Sequence, residues 1–161
     1  MVADLALECA SRHPELQLDT LLIENGAMLH DIGIIRCDAP GIECHGTEPY
    51  ICHGLLGAEM LRKSSDTFHL SAQEMERYAR ICERHTGTGL TRQQIESQGL
   101  PLPHQDFTPE SMEEILICYA DKFFSKTHPD QRKPYERTLK SLEKFGMEGV
   151  ERFIQWHEMF K

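Results

Sequence analysis

The stretch MLHDIG, residues 28–33, places a histidine next to an aspartate at the end of an apolar run. Residues 20–31 have the apolar spacing of a largely buried helix, so the pattern predicts core where His30 and Asp31 stand. A polar pair in such a place either caps the helix or binds a ligand. Which of the two applies depends on the other polar side chains that face the same core.

Helical periodicity extends through nearly the whole chain, and no stretch has the clear alternation of a strand. Ser71 with Glu74, and Thr108 followed by Pro109, are typical of helix starts. The segment 33–51 contains three Gly and two Pro, which predicts a long functional or mobile loop. The chain is therefore predicted to be all-α, a compact bundle of seven to eight helices at residues 2–12, 20–31, 52–64, 71–85, 91–97, 108–125, 134–145 and 147–160.

Length and composition limit the possible functions. The 161 residues favour a single domain over 1–161. The net charge of −9 argues against broad nucleic-acid binding, but a small phosphorylated ligand stays possible because a metal can supply positive charge. No apolar run approaches the ~20 residues of a membrane span, and a start without a signal peptide favours the cytoplasm. The six cysteines form no CxxC pair, which favours free thiols over disulfides or structural zinc.

Polar side chains interrupt or end the apolar faces of four predicted helices. A histidine opens the face of the third helix, another closes the fourth, and an aspartate interrupts the late helix ILICYADKFF, residues 115–124. Any one of them alone is more typical of a hydrogen-bonded core residue than of a ligand. Helical bundles build metal sites from several such side chains, and mixed imidazole and carboxylate ligands suit Fe, Mn, Zn, Co or Ni better than Ca. The five candidate metal ligands are His30, Asp31, His53, His85 and Asp121.

Four motifs in order carry a family resemblance: LHDIG (29–33), CHGLLGAEMLR (52–62), ERHTGTGLT (83–91) and ICYADKFFSKT (117–127). Together they resemble the HD-domain superfamily of metal-dependent phosphohydrolases, in particular the small stand-alone HDIG-type proteins of bacteria and archaea. The resemblance covers about residues 2–126 and makes 1–126 the motif-bearing core. It implies an HD-domain-like helical fold with the site at the bundle centre. It also implies a small phosphorylated molecule or nucleotide as substrate, hydrolysed by metal-activated water.

The resemblance implies a role for each of the five side chains. His30, Asp31 and Asp121 would be ligands, and Asp31 would be able to bridge two ions. His53 and His85 match histidines that hold a second ion in some members. If only one ion binds, one of these two histidines would instead protonate the leaving group. The cofactor is thus one or two divalent ions, and Fe, Mn, Zn, Ni, Co and Mg are not distinguished.

Three further residues are candidates for the site. Many family members have a lysine after HDIG, where this chain has Ile34, Ile35 and then Arg36. Arg36 would contact a phosphate or remain a solvated loop residue, and Lys122 is a second candidate for phosphate contact. His45, in the Gly- and Pro-rich loop, would line the entrance or add a metal ligand.

Two other functions stay open on the sequence alone. The first is a di-iron oxygenase of the same fold, which would require redox-active iron. The second is a metal- or nucleotide-binding module with weakened catalysis, because the family pattern has an earlier histidine that falls before Met1. Either the natural chain starts upstream, or another group or a water takes that place. The amphipathic helix VERFIQWHEMFK (150–161) is expected to pack on the core, and a homodimer contact through it is open.

Overall fold

A computed structural model describes residues 1–161, the side chain of Phe145 excepted. It is mostly helical, as predicted, and none of the described helices is long and apolar enough to cross a membrane. The predicted seven to eight helices correspond to the eight of seven residues or more within the described chain, and a four-residue helix is added to them. The helices are α1 (Val2–Arg12), α2 (Thr20–Leu29), α3 (His53–Arg62), α4 (Ser65–Phe68), α5 (Ala72–Arg84), α6 (Arg92–Gln98), α7 (Met112–Lys122), α8 (Tyr135–Leu142) and α9 (Met147–Phe160).

The predicted cap of α5 is confirmed, while the predicted start of α7 was wrong. Ser71 caps α5, because its hydroxyl accepts the amide hydrogen of Glu74 and the Glu74 carboxylate accepts the amide hydrogen of Ser71. Helix α7 begins after Ser111, whose hydroxyl accepts the amide hydrogen of Glu114 at 3.1 Å, and not after Thr108. The carbonyl of Thr108 instead accepts a hydrogen bond from Arg84 of α5 at 2.7 Å. This tertiary contact engages the segment before Ser111, which is not helical.

The predicted loop at 33–51 has more regular structure than its composition indicates. It contains 3-10 turns at Ile32–Arg36, Pro40–Ile42 and Tyr50–Cys52, and two strands of two residues each, β1 (Asp38–Ala39) and β2 (Cys44–His45). The two strands pair antiparallel. Strands this short are below the length at which alternation is detectable, so the sequence pattern missed them.

The main core joins the two ends of the chain. Helices α1, α2, α7 and α9 contribute to one cluster of buried apolar side chains. On α9, Phe153 and Phe160 are fully buried, and both rings contact Tyr119 of α7 with centroids 5.2 and 5.4 Å away. Helix α9 therefore packs on the helix that carries Asp121.

The glycine of the HDIG stretch brings two backbones into contact. A Cβ at Gly33 would lie 2.0 Å from the carbonyl oxygen of His53 and 2.4 Å from the amide nitrogen of Gly57. Only a residue without a side chain permits this approach of the 3-10 turn to α3. The contact holds the His30–Asp31 segment against the start of α3, where His53 lies.

Candidate metal centre

Five polar side chains meet where four helices end or begin. His30 and Asp31 directly follow α2, and His85 directly follows α5. His53 is the first residue of α3, and Asp121 lies in the last turn of α7. All five were predicted from the sequence as metal ligands, and the fold brings all five together. Four are buried and Asp31 is partly accessible.

Asp31 lies at the centre of this group. Its Oδ2 atom is 3.0 Å from Nε2 of His30. Its Oδ1 atom is 3.2 Å from Nε2 of His85 and 3.5 Å from Nε2 of His53. On the His30 side, Oδ1 of Asp121 lies 3.2 Å from Nε2 of His30. The two oxygens of the Asp31 carboxylate therefore face different histidines. Oδ2 faces His30, and Oδ1 faces His53 and His85.

The three imidazoles are held in the same tautomer by their own helices. Each Nδ1 atom donates to the carbonyl three residues earlier, at 2.7 Å in His30, 2.7 Å in His53 and 2.6 Å in His85. A carbonyl oxygen only accepts, so these contacts place the ring hydrogen on Nδ1. In the neutral ring Nε2 then carries a lone pair, and all three Nε2 atoms point toward Asp31. This orientation is the one that a metal-binding histidine requires.

This set of donors fits a metal ion. The ligand atoms of His30, Asp31 and His85 lie within 4.8 Å of one another, so the three residues could bind one ion. The Nε2 atoms of His53 and His85 are only 3.0 Å apart. Two lone pairs at that distance repel each other unless a proton or a metal ion lies between or beside them. The arrangement is therefore complementary to a cation.

The pKa values of His30 and His53 are shifted in opposite directions. Burial disfavours the imidazolium of His30, but the carboxylates of Asp121 and Asp31 outweigh it and raise the pKa of His30 to about 9. Burial and the positive charge of a protonated His85 lower the pKa of His53 to about 4. Burial opposes ionisation of Asp31, but the neighbouring imidazoles of His30 and His85 outweigh it and lower the pKa of that carboxyl. At neutral pH the two carboxylates are thus ionised, and His53 is neutral.

Two lysines contact the carboxylates of the site. Lys122 Nζ lies 2.7 Å from Oδ2 of Asp121 and donates to the carbonyl of His85 at 2.9 Å. Lys126 Nζ forms an ion pair with Oδ2 of Asp31 and lies 3.4 Å from Oδ1 of Asp121. The sequence pattern indicated Lys122 but not Lys126. The chain leaves the helix at Phe123, so helical spacing does not predict which way Lys126 turns.

Two of the predicted candidates lie elsewhere. Arg36 is 3.8 Å from Glu59 and half-exposed, and it lines neither of the two cavities at the site. His45 is exposed in β2, where its backbone pairs with Asp38. The His45 side chain lines neither of the two cavities. The structure therefore does not bring Arg36 or His45 to the other candidate residues.

Two cavities reach the cluster. One of about 490 Å³ is lined by His53, His85 and Asp121 and also by Tyr50 and Lys122. The other, of about 410 Å³, is lined by His30, Asp31 and Asp121 together with the start of α1. Both volumes lie within the range of small-molecule sites. A ligand in either cavity would contact the candidate metal ligands.

Comparison with known proteins places this geometry in a family context. The family model described as HD domain matches residues 1–125. An uncharacterised protein of Methanocaldococcus jannaschii, MJ0778, is 33% identical over 138 residues, which cover 86% of this chain and 68% of that protein. No solved structure matches the chain.

Two other relatives are named tRNA (cytidine(56)-2'-O)-methyltransferase. The one from Picrophilus torridus is 35% identical over 107 residues, or 66% of this chain. The one from Thermoplasma volcanium is 30% identical over 158 residues, or 98% of this chain. The chain spans only 25% and 39% of the length of these two proteins.

Proposed function

We propose, since the chain belongs to the HD domain family, that it is a metal-dependent phosphohydrolase acting on a small phosphorylated molecule or nucleotide. The observation that carries the proposal is the convergence of three Nε2 atoms on the carboxylate of Asp31, at distances of 3.0 to 3.5 Å. Such a donor set binds divalent transition metals, and hydrolysis of phosphate esters is the chemistry that this family implies. The substrate is chosen by the cavities beside the cluster.

The residues divide into two possible ligand sets around Asp31. His30 and Asp121 would hold one ion together with Asp31, and His53 and His85 would hold another together with Asp31. This division follows from the distances of 3.0 to 3.5 Å between the Asp31 oxygens and the three Nε2 atoms. When bound, a divalent ion would neutralise charge on the phosphoryl oxygens and make water nucleophilic at neutral pH.

Two lysines, Lys122 and Lys126, would then position the substrate. Lys122 lines the larger cavity beside Asp121, and Lys126 lines both cavities. Their ammonium groups would bind phosphoryl oxygens of a substrate in these cavities. His53 is neutral near pH 7 because its pKa is lowered to about 4, so it would bind metal or accept a proton and not donate one.

The names of two relatives raise the alternative that RNA is the substrate. Those names describe methyl transfer to tRNA by proteins of which this chain spans a quarter to two fifths. The His and Asp cluster supports metal binding and not methyl transfer, and the chain has 26 acidic against 17 basic residues. We therefore propose a small phosphorylated substrate, in keeping with the size of the cavities.

Two measurements on the purified protein test this proposal together. Elemental analysis identifies the bound metal, and phosphate release is assayed over a panel of phosphorylated metabolites and nucleotides with each divalent ion added in turn. Asp31→Asn keeps the size of the side chain and removes its charge, and the exposed Asp66→Asn is the matched control. We expect phosphate release by wild type and D66N but not by D31N.

Two other outcomes of these measurements would each indicate a different function. Bound metal with no phosphate release from any substrate would favour a binding module. Iron-dependent oxygen consumption without phosphate release would favour the oxygenase. Either result would overturn the proposed hydrolysis.

A further inference from the structure

The cavity of about 490 Å³ has a charge opposite to that of the whole chain. Four lysines line it, and Asp121 is the one acidic residue among its described lining side chains. The chain as a whole has a net charge of −9. A cleft lined by one sign of charge concentrates ligands of the other sign. The four lysines are Lys122, Lys126, Lys133 and Lys144.

The four lysines are not equivalent. Lys122 and Lys126 already form ion pairs with Asp121, and Lys126 also with Asp31. Lys133 is half-buried, and in the described part of the chain its ammonium has no ion-pair partner. A half-buried ammonium without a counter-charge is costly, and an anion bound in the cavity would offset that cost.

Neighbouring charges support the same interpretation of Lys133. Burial lowers the pKa of its ammonium, and the positive charges of Lys122, Arg137 and Lys144 lower it further, against the opposing effect of Asp121. Like charges held together in this way attract an anion more strongly than one lysine alone.

This part of the cavity wall comes from residues beyond those matched by the HD domain family. The family model ends at residue 125, and Lys133, Ser141 and Lys144 all follow it. The backbone amide of Lys133 donates to the carbonyl of Phe123 at 2.7 Å, which ties the segment before α8 to the end of α7. The lysine is thereby held beside the helix that carries Asp121.

We propose that Lys133 and Lys144 form an anion subsite that binds a second phosphate of the substrate. The substrate class is then small molecules with two phosphate groups or a diphosphate chain, in preference to monophosphates. This inference rests on the proposed function for the position of the first phosphate, at Asp121 and Lys122. The subsite itself depends only on the lysines of the cavity, so it can be tested without metal or turnover.

The test is isothermal titration of the full chain with inorganic pyrophosphate and with inorganic phosphate, in buffer that contains EDTA. The variant is the double substitution Lys133→Met and Lys144→Met, which keeps side-chain length and removes both charges. Lys63→Met is the matched control, because Lys63 is exposed at the end of α3 and does not line the cavity. Circular dichroism checks that all variants are folded.

We expect wild type to bind pyrophosphate more tightly than phosphate, and the double variant to lose at least tenfold in pyrophosphate affinity. The control should bind within about twofold of wild type, as a charge that is exposed and distant is screened by salt. Where a substrate with two phosphates is hydrolysed, the double variant should raise KM and leave kcat nearly unchanged.

Three results would overturn the subsite. The first is absence of pyrophosphate binding by wild type, and the second is equal binding by the double variant. The third is tighter binding of a single-stranded RNA oligonucleotide than of pyrophosphate through the same lysines. A protein that hydrolyses no substrate but shows the expected pyrophosphate binding would disprove the phosphohydrolase and keep the subsite.

Discussion

The Nε2 atoms of His53 and His85 lie 3.0 Å apart, although each ring donates its Nδ1 hydrogen to a backbone carbonyl. In neutral rings this geometry directs two lone pairs at each other, and a cation nearby removes the repulsion. Lys126 supplies positive charge on the other side of Asp31, where it pairs with that carboxylate. The cluster thus favours a nearby cation, which supports the proposal that it binds a metal ion.

The shifted pKa values predict that the metal-free protein is most stable near pH 6.5. The pKa of His30 is raised from 6.5 to about 9, so its contribution is complete below pH 6.5 and is lost as the pH rises through 9. The pKa of His53 is lowered to about 4, so its contribution is present above pH 6.5 and is lost as the pH falls toward 4. Urea unfolding in EDTA at several pH values measures both slopes.

Two variants separate these contributions. His30→Gln should remove most of the decline in the free energy of unfolding above pH 6.5, and His53→Gln should reduce the decline below it. A full alkaline decline that persists in H30Q would show that another group causes it.

Lys126→Met is predicted to bind metal more tightly than wild type. The ammonium of Lys126 pairs with oxygens of Asp31 and Asp121, which a metal ion would also use. Removing this competing cation should raise metal affinity on the order of tenfold, since it removes a favourable pairing from the metal-free state alone. The metal-free variant should also unfold more readily, because two carboxylates lose a counter-charge. Competition with a fluorescent chelator measures the affinity, with K63M as control, and weaker binding by K126M would contradict the competition.

Gly33→Ala is predicted to destabilise the fold by about 2 kcal/mol or more. The added Cβ would lie 2.0 Å from the carbonyl oxygen of His53, so the HDIG segment and α3 would have to separate. Gly41→Ala is the matched control, as nothing lies within 4 Å of its added Cβ. Urea unfolding followed by circular dichroism compares the two variants, and equal stability would mean that the close backbone contact is absent in solution.

Arg36→Ala and His45→Ala are predicted to leave metal content and phosphate release within about twofold of wild type, as expected for surface substitutions away from a site. Arg36 lies near Glu59 and His45 is exposed, and neither side chain lines a cavity at the cluster. Lys122→Met, in contrast, should reduce phosphate release, since Lys122 lines the larger cavity beside Asp121. A tenfold loss of phosphate release in R36A would show that this arginine acts at the site.

Local patterns predicted most of the fold, and they failed where distant residues intervene. The cap at Ser71 was correct because the hydrogen bonds with Glu74 are local. The start of α7 was misplaced because Arg84, which is distant in sequence, donates a hydrogen bond to the carbonyl of Thr108. Local spacing does not predict this contact. The strands β1 and β2 are two residues each, which is too short for any periodic signal.

In the candidate site, too, local patterns succeeded and positions that depend on distant residues were missed. Apolar spacing indicated all five side chains that converge, because each lies at or near a helix end that this spacing locates. Lys126 and Lys133 were missed because they lie between α7 and α8, in a segment without periodicity. Their position beside Asp121 depends on contacts such as that between Lys133 and Phe123, which only the tertiary structure reveals.

The proposed metal site is tested by the metal content of wild type and Asp31→Ala, measured by elemental analysis after EDTA treatment and reconstitution at neutral pH. Asp31 contacts every histidine of the cluster, so its removal should abolish binding at both ligand sets. We expect one or two equivalents of a divalent transition metal in wild type, none in D31A, and unchanged helical circular dichroism in both. A folded wild-type protein that binds no divalent metal, or a D31A variant that binds as much as wild type, would contradict it.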